Sequence, residues 1–364
     1  MRILFLNQYF PPDPAPTGIL LRQVGDAFEA AGHTVDFVAA RQDYHAGQGK
    51  GGRLMRELKA LGTLLIDGCL RPRADVVISA SSPPCLLLVA TLVAFRHRAR
   101  AFHWIMDLYP EIAVALGEVP AGILSRMVAY LMGWCYRQCE KVIVLDEDMA
   151  ERLRNYRVEP KIIRPWIFEE APRSLAQTAA PEEPWTWIYS GNLGRGHEWQ
   201  TLLEAQALLE KQTSGIRLLF QGGGPQWIAA QKQAAALNLK HCEFKPYVDR
   251  DALRPALLHC HCCVVTQLAA VRGMLWPSKL CLLLTLPRPL LWVGPRDGST
   301  ARQISHRPHT GIFVPGQAAE IADCLLALRK QTPRFTAADL FDAPAQRCEA
   351  LAEWCALIEL QPLS

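Results

Sequence analysis

The stretch "YSGNLGRGHEWQTLLEA", residues 189–205, decides the fold. To its left it closes an apolar run, "WTWIYS", and to its right it opens a run of helical period expected to start near His197 or Glu198. Between them lie Gly191, Gly194 and Gly196 with Arg195. A buried strand, a glycine loop and a helix in that order form the repeating unit of a parallel αβ sheet. The loop itself reads in two ways. Glycines let the backbone approach a ligand and Arg195 can grip phosphate oxygens in pairs, which suits an anion cradle. A plain turn before a helix needs the same glycines, and the spacing is neither that of a Walker loop nor that of the dinucleotide fingerprint.

Working outward, the same unit recurs on both sides. Before residue 170, "RILFLNQ", "TVDFVAA", "ADVVISA", "RAFHWIM" and "KVIVLD" alternate with helical runs. After residue 184, "IRLLFQG", "HCEFKPY", "CCVVTQL", "RPLLWVG" and "GIFVP" do so again. The stretch "EAPRSLAQTAAPEEP" between the two series has no apolar period and reads as a linker. Two Rossmann-like domains are expected, at 1–170 and 171–339, with a final helix at about 340–364 that packs back on the first.

Composition fits this. The chain has 364 residues, half of them hydrophobic and a fifth charged, enough for two cores. A net charge of +4 is too small to argue for nucleic acid. Twelve scattered cysteines in a chain whose start reads as a first strand rather than a leader are expected to be reduced thiols of a cytosolic protein. No apolar run reaches the length of a membrane span; "CLLLVATLVAF" (85–95) comes nearest. The basic, leucine-rich stretch 49–73 suits either a helix lying on a membrane surface or an ordinary domain-surface helix.

In open parallel sheets ligands collect beyond the carboxyl ends of the strands. Four loops there suit an anion. Thr17 and Gly18 sit at a helix start after the first strand; Gly194 and Arg195 lie in the opening stretch. Gly222 and Gly224 belong to "LLFQGGGPQW", where a turn imposed by Pro225 is the alternative reading. Ser278 and Lys279 begin an apolar helix, an end at which a bare lysine is unfavourable and a bound anion would compensate. Among acids, "FHWIMDLYPE" places His103, Asp107 and Glu111 around a strand end, in a loop that Pro110 is expected to hold out of helix. Asp146 to Asp148 are read as a helix cap, and "HCHCC" (259–263) as strand, since neighbours alternate faces and cannot converge on one metal.

Taken in order, "LNQYFPPDPAPTG", "DLYPE", "YSGNLGR", "LLFQGGGP" with "FKPYV", and "PSKL" with "RPLLWVG" resemble the retaining GT-B glycosyltransferases that use nucleotide-sugars. The likeness is strongest to the branch building bacterial surface polysaccharides, including fucosamine and colanic-acid transferases. It implies two Rossmann-like domains with parallel sheets facing across a cleft, the second binding the donor, a UDP-sugar before a GDP-sugar. By the same resemblance, Gly194, Arg195, Ser278 and Lys279 hold the diphosphate, Gly222 and Gly224 line the nucleotide pocket, and Tyr247 and Val248 meet the base. Thr17 and Gly18 close over the phosphates, while Asp107 serves the acceptor with His103 or Glu111 in support.

The implied reaction retains anomeric configuration, needs no metal or cofactor, and uses a polyprenyl-linked saccharide acceptor at the inner face of the cytoplasmic membrane. Two departures stand out. Where relatives carry Glu-x7-Glu, this chain has Met274 and Leu282, and Pro287 replaces a customary glycine. A nucleotide-sugar 2-epimerase and a degenerate sugar-nucleotide binder are the alternatives.

Overall fold

The computed structural model describes residues 1–13, 15–40, 52–167, 183–212, 215–331 and 333–359. Most of the expected linker therefore lies outside the described residues. The chain divides into two compact units, one of Met1–Phe168, Gly273–Trp276 and Pro344–Ser364, the other of Glu169–Arg272 and Pro277–Ala343.

The first unit runs β1 (Arg2–Asn7), α1 (Pro16–Ala30), β2 (Thr34–Ala39), α2 (Arg53–Leu70), β3 (Val76–Ala80), α3 (Leu86–His97) and β4 (Arg100–Trp104). It continues with α4 (Glu111–Ala115), α5 (Ile123–Gln138), β5 (Lys141–Val144), α6 (Glu147–Arg154) and β6 (Lys161–Ile162). All six strands are parallel, in the order β2-β1-β3-β4-β5-β6. Leu4, Leu6 and Val77 pack under Leu64 of α2 and Val93 of α3, because a parallel sheet covered by helices buries both its faces. Proline at the first helical position of α1 suits its fixed φ, and Asp146 caps α6 by accepting from the Met149 amide at 2.8 Å, so the acidic triplet is the cap it was read as.

The second unit runs β7 (Thr186–Asn192), α7 (Gln200–Lys211), β8 (Arg217–Gly223), α8 (Trp227–Ala236), β9 (Cys242–Lys245), α9 (Arg250–Leu258) and β10 (Cys262–Thr266). After it come α10 (Lys279–Leu283), β11 (Leu290–Val293), α11 (Ser299–Ile304), β12 (Thr310–Phe313) and α12 (Ala318–Lys330). These strands too are all parallel, in the order β12-β11-β10-β7-β8-β9. Trp187, Tyr189 and Phe220 fill the core with Leu202 of α7 and Ile321 of α12. Gln206, fully buried, takes the Trp187 indole N–H and donates to the Ile216 carbonyl, so this buried amide is satisfied.

The last helix, α13 (Ala343–Glu359), from Pro344 onward belongs to the first unit. Its Trp354 meets Trp104 edge-on with ring centres 5.2 Å apart, and Trp104 stacks on Trp166.

Three expectations need correction. Pro110 does not keep the following residues out of helix; it is the N-cap of α4, which starts at Glu111. Helix α7 starts at Gln200 rather than near residue 197, because Glu198 turns inward and accepts from the Thr201 amide and hydroxyl at 2.8 and 3.0 Å. The run 259–263 is only partly strand. His259 caps α9, and His261 accepts from the Thr186 amide while stacking on Trp185. Among the described residues no three His, Cys, Asp or Glu side chains are grouped to hold a metal, and no helix is long and apolar enough to cross a membrane.

Candidate functional site

Each strand order reverses once, between β1 and β3 in the first unit and between β7 and β10 in the second. At such a point neighbouring loops diverge to opposite faces and leave a crevice. Both crevices are held by hydrogen bonds between the two loops. In the first unit the Gln8 amide donates to the Ser82 carbonyl at 2.8 Å and the Ser82 hydroxyl to Gln8 Oε1 at 2.9 Å. In the second the Leu268 amide donates to the Gly196 carbonyl at 2.8 Å, and His197 Nδ1 lies 2.8 Å from the Thr266 carbonyl.

In the second unit, strands β7 and β8 run one turn further than their apolar residues, pairing Gly191 with Gly222 and Asn192 with Gly223. A Cβ on Gly222 would lie 2.2 Å from the Gly191 carbonyl oxygen, and its φ of +142° suits glycine alone. Gly222 is thus required by one loop packing on the next. Gly224 sits beyond it, beside the Asn192 side chain, in the turn into α8. Leu193 donates to the Gly223 carbonyl at 2.6 Å, tying the Gly194–Arg195 loop to the glycine turn; Arg195 is half-buried there. Tyr247 and Val248 stand exposed after β9, with the Tyr247 ring over Gly223.

Ser278 is exposed and makes no side-chain cap to α10. Lys279 folds inward. Its Nζ lies 3.6 Å from the centre of the Tyr189 ring and 3.6 Å from where a Cβ on Gly191 would be. It is buried and has no hydrogen-bond partner among the described residues. Burial pushes its pKa down to about 7. The conflict of a lysine at a helix start is thus partly met by an aromatic face, which attracts a cation but accepts no hydrogen bond in the plane of its N–H groups. Beside it, burial first and the Lys279 charge second push His197 down to about 3.

In the first unit, Thr17 is half-buried in the first turn of α1. Gly18 is buried against the loop before it, where a Cβ would lie 2.4 Å from the Tyr9 carbonyl oxygen. Asp107 follows β4. Its amide and that of Met106 both donate to Ser81 Oγ at 3.0 Å, and it forms an isolated antiparallel bridge with Leu275. The next amide, of Leu108, donates to the Met274 carbonyl at 2.8 Å. The backbone of Asp107 is therefore pinned from two sides while its half-buried carboxylate has no bonded donor among the described residues. Burial pushes its pKa up to about 6.

His103 is not brought to that carboxylate as a helper. It is an inward residue of β4, 1% exposed, with Nδ1 2.8 Å from the Ser79 hydroxyl and its ring against Tyr136. Burial pushes it down to about 3, so it stays neutral and serves the packing of the sheet. Glu111 is held by the Tyr156 hydroxyl, and burial raises its pKa above the usual carboxylate range. Ser81, which fixes Asp107, belongs to no motif, and Tyr189, which faces Lys279, opens "YSGNLGR" only as a residue of its strand.

Met274 is buried in the segment Gly273–Trp276, and Leu282 lies half-buried in α10. Neither can offer the hydrogen bonds of a carboxylate.

Comparison with known proteins supports the fold. The family model for glycosyl transferases group 1 matches residues 171–274. A Pseudomonas aeruginosa protein named a probable glycosyltransferase, WbjE, is 24% identical over 262 residues, which cover 66% of this chain and 62% of that relative's length. Among solved structures, the lipopolysaccharide outer core galactosyltransferase WaaB in its apo form superposes with a TM-score of 0.64 at 11% identity, covering 98% of this chain and 100% of that one. HepE of Anabaena, in complex with UDP and glucose, does so with a TM-score of 0.64 at 15% identity, covering 98% of each. Two Rossmann-like units with all-parallel sheets give this chain the GT-B fold, and its residues 171–274 are similar to group 1 glycosyl transferases.

Proposed function

We propose that the protein transfers a sugar from a nucleoside diphosphate donor, a UDP-sugar before a GDP-sugar, to a saccharide acceptor in the synthesis of a surface polysaccharide. One observation carries the reading: a buried lysine ammonium, Lys279, with no hydrogen-bond partner among the described residues, beside glycine loops at the crevice of the second sheet. A desolvated ammonium is costly unless it is paired, and a diphosphate supplies the pair. The stem of Lys279 is long enough to leave Tyr189 for a ligand, with Arg195, Ser278 and the loop around Gly194 completing the grip. Thr17 and Gly18 of the first unit are read as a further contact with the phosphates. HepE, similar in fold, has been solved with UDP and with UDP-glucose, which favours the same donor class here.

In the proposed step the acceptor hydroxyl oxygen bonds to the anomeric carbon while the bond from that carbon to the diphosphate oxygen breaks, its electron pair leaving with the phosphate. Lys279 and Arg195 neutralise the charge growing on that oxygen, the role a metal ion would otherwise take. The hydroxyl proton passes to the leaving phosphate or to Asp107, whose raised pKa lets it accept near neutral pH. Attack from the leaving group's own face retains the anomeric configuration. The acceptor is read as polyprenyl-linked, used at the inner face of the cytoplasmic membrane. Gly222 and Gly224 shape the pocket wall, and Tyr247 with Val248 meets the base.

Calorimetric titration with UDP and GDP, followed by incubation with UDP- and GDP-sugars and a polyprenyl-diphosphate-linked saccharide, tests this. The expected result is UDP binding that weakens in Lys279→Ala and Arg195→Ala, with sugar appearing on the acceptor. Absence of binding to either nucleotide sinks the proposal. The degenerate-binder reading has one observation in its favour, the apolar Met274 and Leu282; binding with neither transfer nor donor hydrolysis would select it.

A further inference from the structure

The helix α5 is apolar on both its faces. A helix on the surface of a domain turns its apolar stripe inward and its polar residues to water. Here Met132, Cys135 and Tyr136 are buried as expected, but the opposite face also is apolar: Ile123 is 86% exposed, Leu124 66% and Tyr130 72%, with Met127, Leu131 and Trp134 exposed beside them. These positions follow one another at three- and four-residue steps, so they form one stripe. The neighbouring helix α3 continues it. Leu92 and Phe95 are exposed, and the Phe95 ring lies 6.0 Å from that of Trp134. Scattered exposed apolar residues are ordinary, whereas a continuous patch spanning two packed helices marks a contact surface.

The charges on these two helices say what covers it. Neither α3 nor α5 contains an aspartate or glutamate, while Arg96, Arg126 and Arg137 are exposed on them. Tyr130 and Trp134 are the ring types that settle where hydrocarbon meets headgroups. A second copy of the chain would bring the same cations to face these, whereas an anionic bilayer answers both the apolar stripe and its positive fringe.

We propose that the outward face of α5, joined by Leu92 and Phe95 of α3, docks the protein on a bilayer containing anionic lipid. Helix α2 flanks this surface. It packs on α3 and exposes Leu54, Leu58, Ile66 and Leu70, yet it buries Ala60 and Leu64 and carries Glu57 and Asp67. Helix α2 is thus the border of the contact and α5 its centre. The inference rests on the lipid-linked acceptor reading for its purpose, but the contact is measured without donor or acceptor, so the two fail separately.

The test is co-sedimentation of the full chain with vesicles of phosphatidylcholine alone and of phosphatidylcholine mixed equally with phosphatidylglycerol. The expected result is binding to the mixed vesicles, reduced about tenfold or more by the pair Ile123→Glu and Tyr130→Glu, and about fivefold by Arg126→Gln. Thermal melting of each variant at the wild-type temperature certifies the fold; the side chains exchanged are exposed, and Leu124→Gln with Met127→Gln provides a second, milder pair with the same expected direction. No binding of the wild type to mixed vesicles overturns the proposal. So does retention of binding by both folded pairs, or a wild-type dimer that the Ile123→Glu and Tyr130→Glu pair dissolves while vesicles are ignored.

Discussion

The two sheets share six parallel strands and differ in where their order reverses, and with that in the charge they present. The first, reversing between β1 and β3, has an acid beyond its strand ends, Asp107, raised to about 6 by burial. The second, reversing between β7 and β10, has a base, Lys279, lowered to about 7 by the same cause. Each group has a pinned setting and no bonded partner among the described residues. Desolvation moves an acid and a base toward each other on the pH scale, so both can exchange protons near neutrality. One architecture thus supports opposite chemistry according to which side chain it leaves unpaired.

The largest effect is expected at the acid. Asp107→Asn is expected to lower kcat by about 10²–10⁴-fold with UDP affinity kept, measured as turnover alongside titration. Normal turnover would leave the first sheet without a chemical role. In the wild type the rate should fall as pH drops through about 6, where the carboxylate takes up its proton.

Lys279→Ala comes next, with UDP affinity expected to fall by about 10–100-fold, the value of a charge-assisted hydrogen bond. The pH direction is opposite to that of the acid. Below about 7 the free protein already carries the ammonium; above it, binding must bring a proton with it, so affinity declines as pH rises. Lys279→Arg should flatten that decline, because a guanidinium stays charged.

A smaller effect separates packing from binding. Gly222→Ala should cost about 1–3 kcal/mol of stability by denaturant titration, since the strand pair has no room for a methyl group and φ is positive. An unchanged midpoint would return Gly222 to a purely ligand-facing role.

A last effect, read only in acid, is found in both units: burial pushes His103 in the first and His197 in the second to about 3 from an ordinary 6.5. The sign follows from the lowered value. The unfolded chain binds the proton first, so stability is full above 6.5 and is lost as pH falls toward 3, by about 1.4 kcal/mol per pH unit for each ring. His103→Asn should shallow the acid limb of the unfolding midpoint against pH, and an unaltered slope would remove His103 from it.

Much of the fold was legible in the residues because a sheet covered on both faces demands unbroken apolar runs such as "ADVVISA" and "CCVVTQL", and the turns between them demand glycine and proline. What escaped was short or non-local. Helices α4 and α10 have five residues each and β6 has two, too few to display a period. That Gly273–Trp276 belongs with the first sheet is fixed by the bridge from Asp107 to Leu275, a pairing between residues remote in sequence. The loops suited to anions could be located from their glycines and from the awkward lysine. Which way each side chain turns could not: His103 faces Ser79 one strand away, and Lys279 faces Tyr189, both decided by tertiary packing.

The stack of Lys279 on Tyr189 has a consequence for selectivity. In the free protein the aromatic face is a stand-in counter-charge, holding the ammonium at rest without satisfying its protons. Any newcomer must outcompete that ring to win the lysine. On the proposed reading a neutral sugar would offer too little and a doubly charged diphosphate more, so the phenol would filter for charge before any sugar hydroxyl is read.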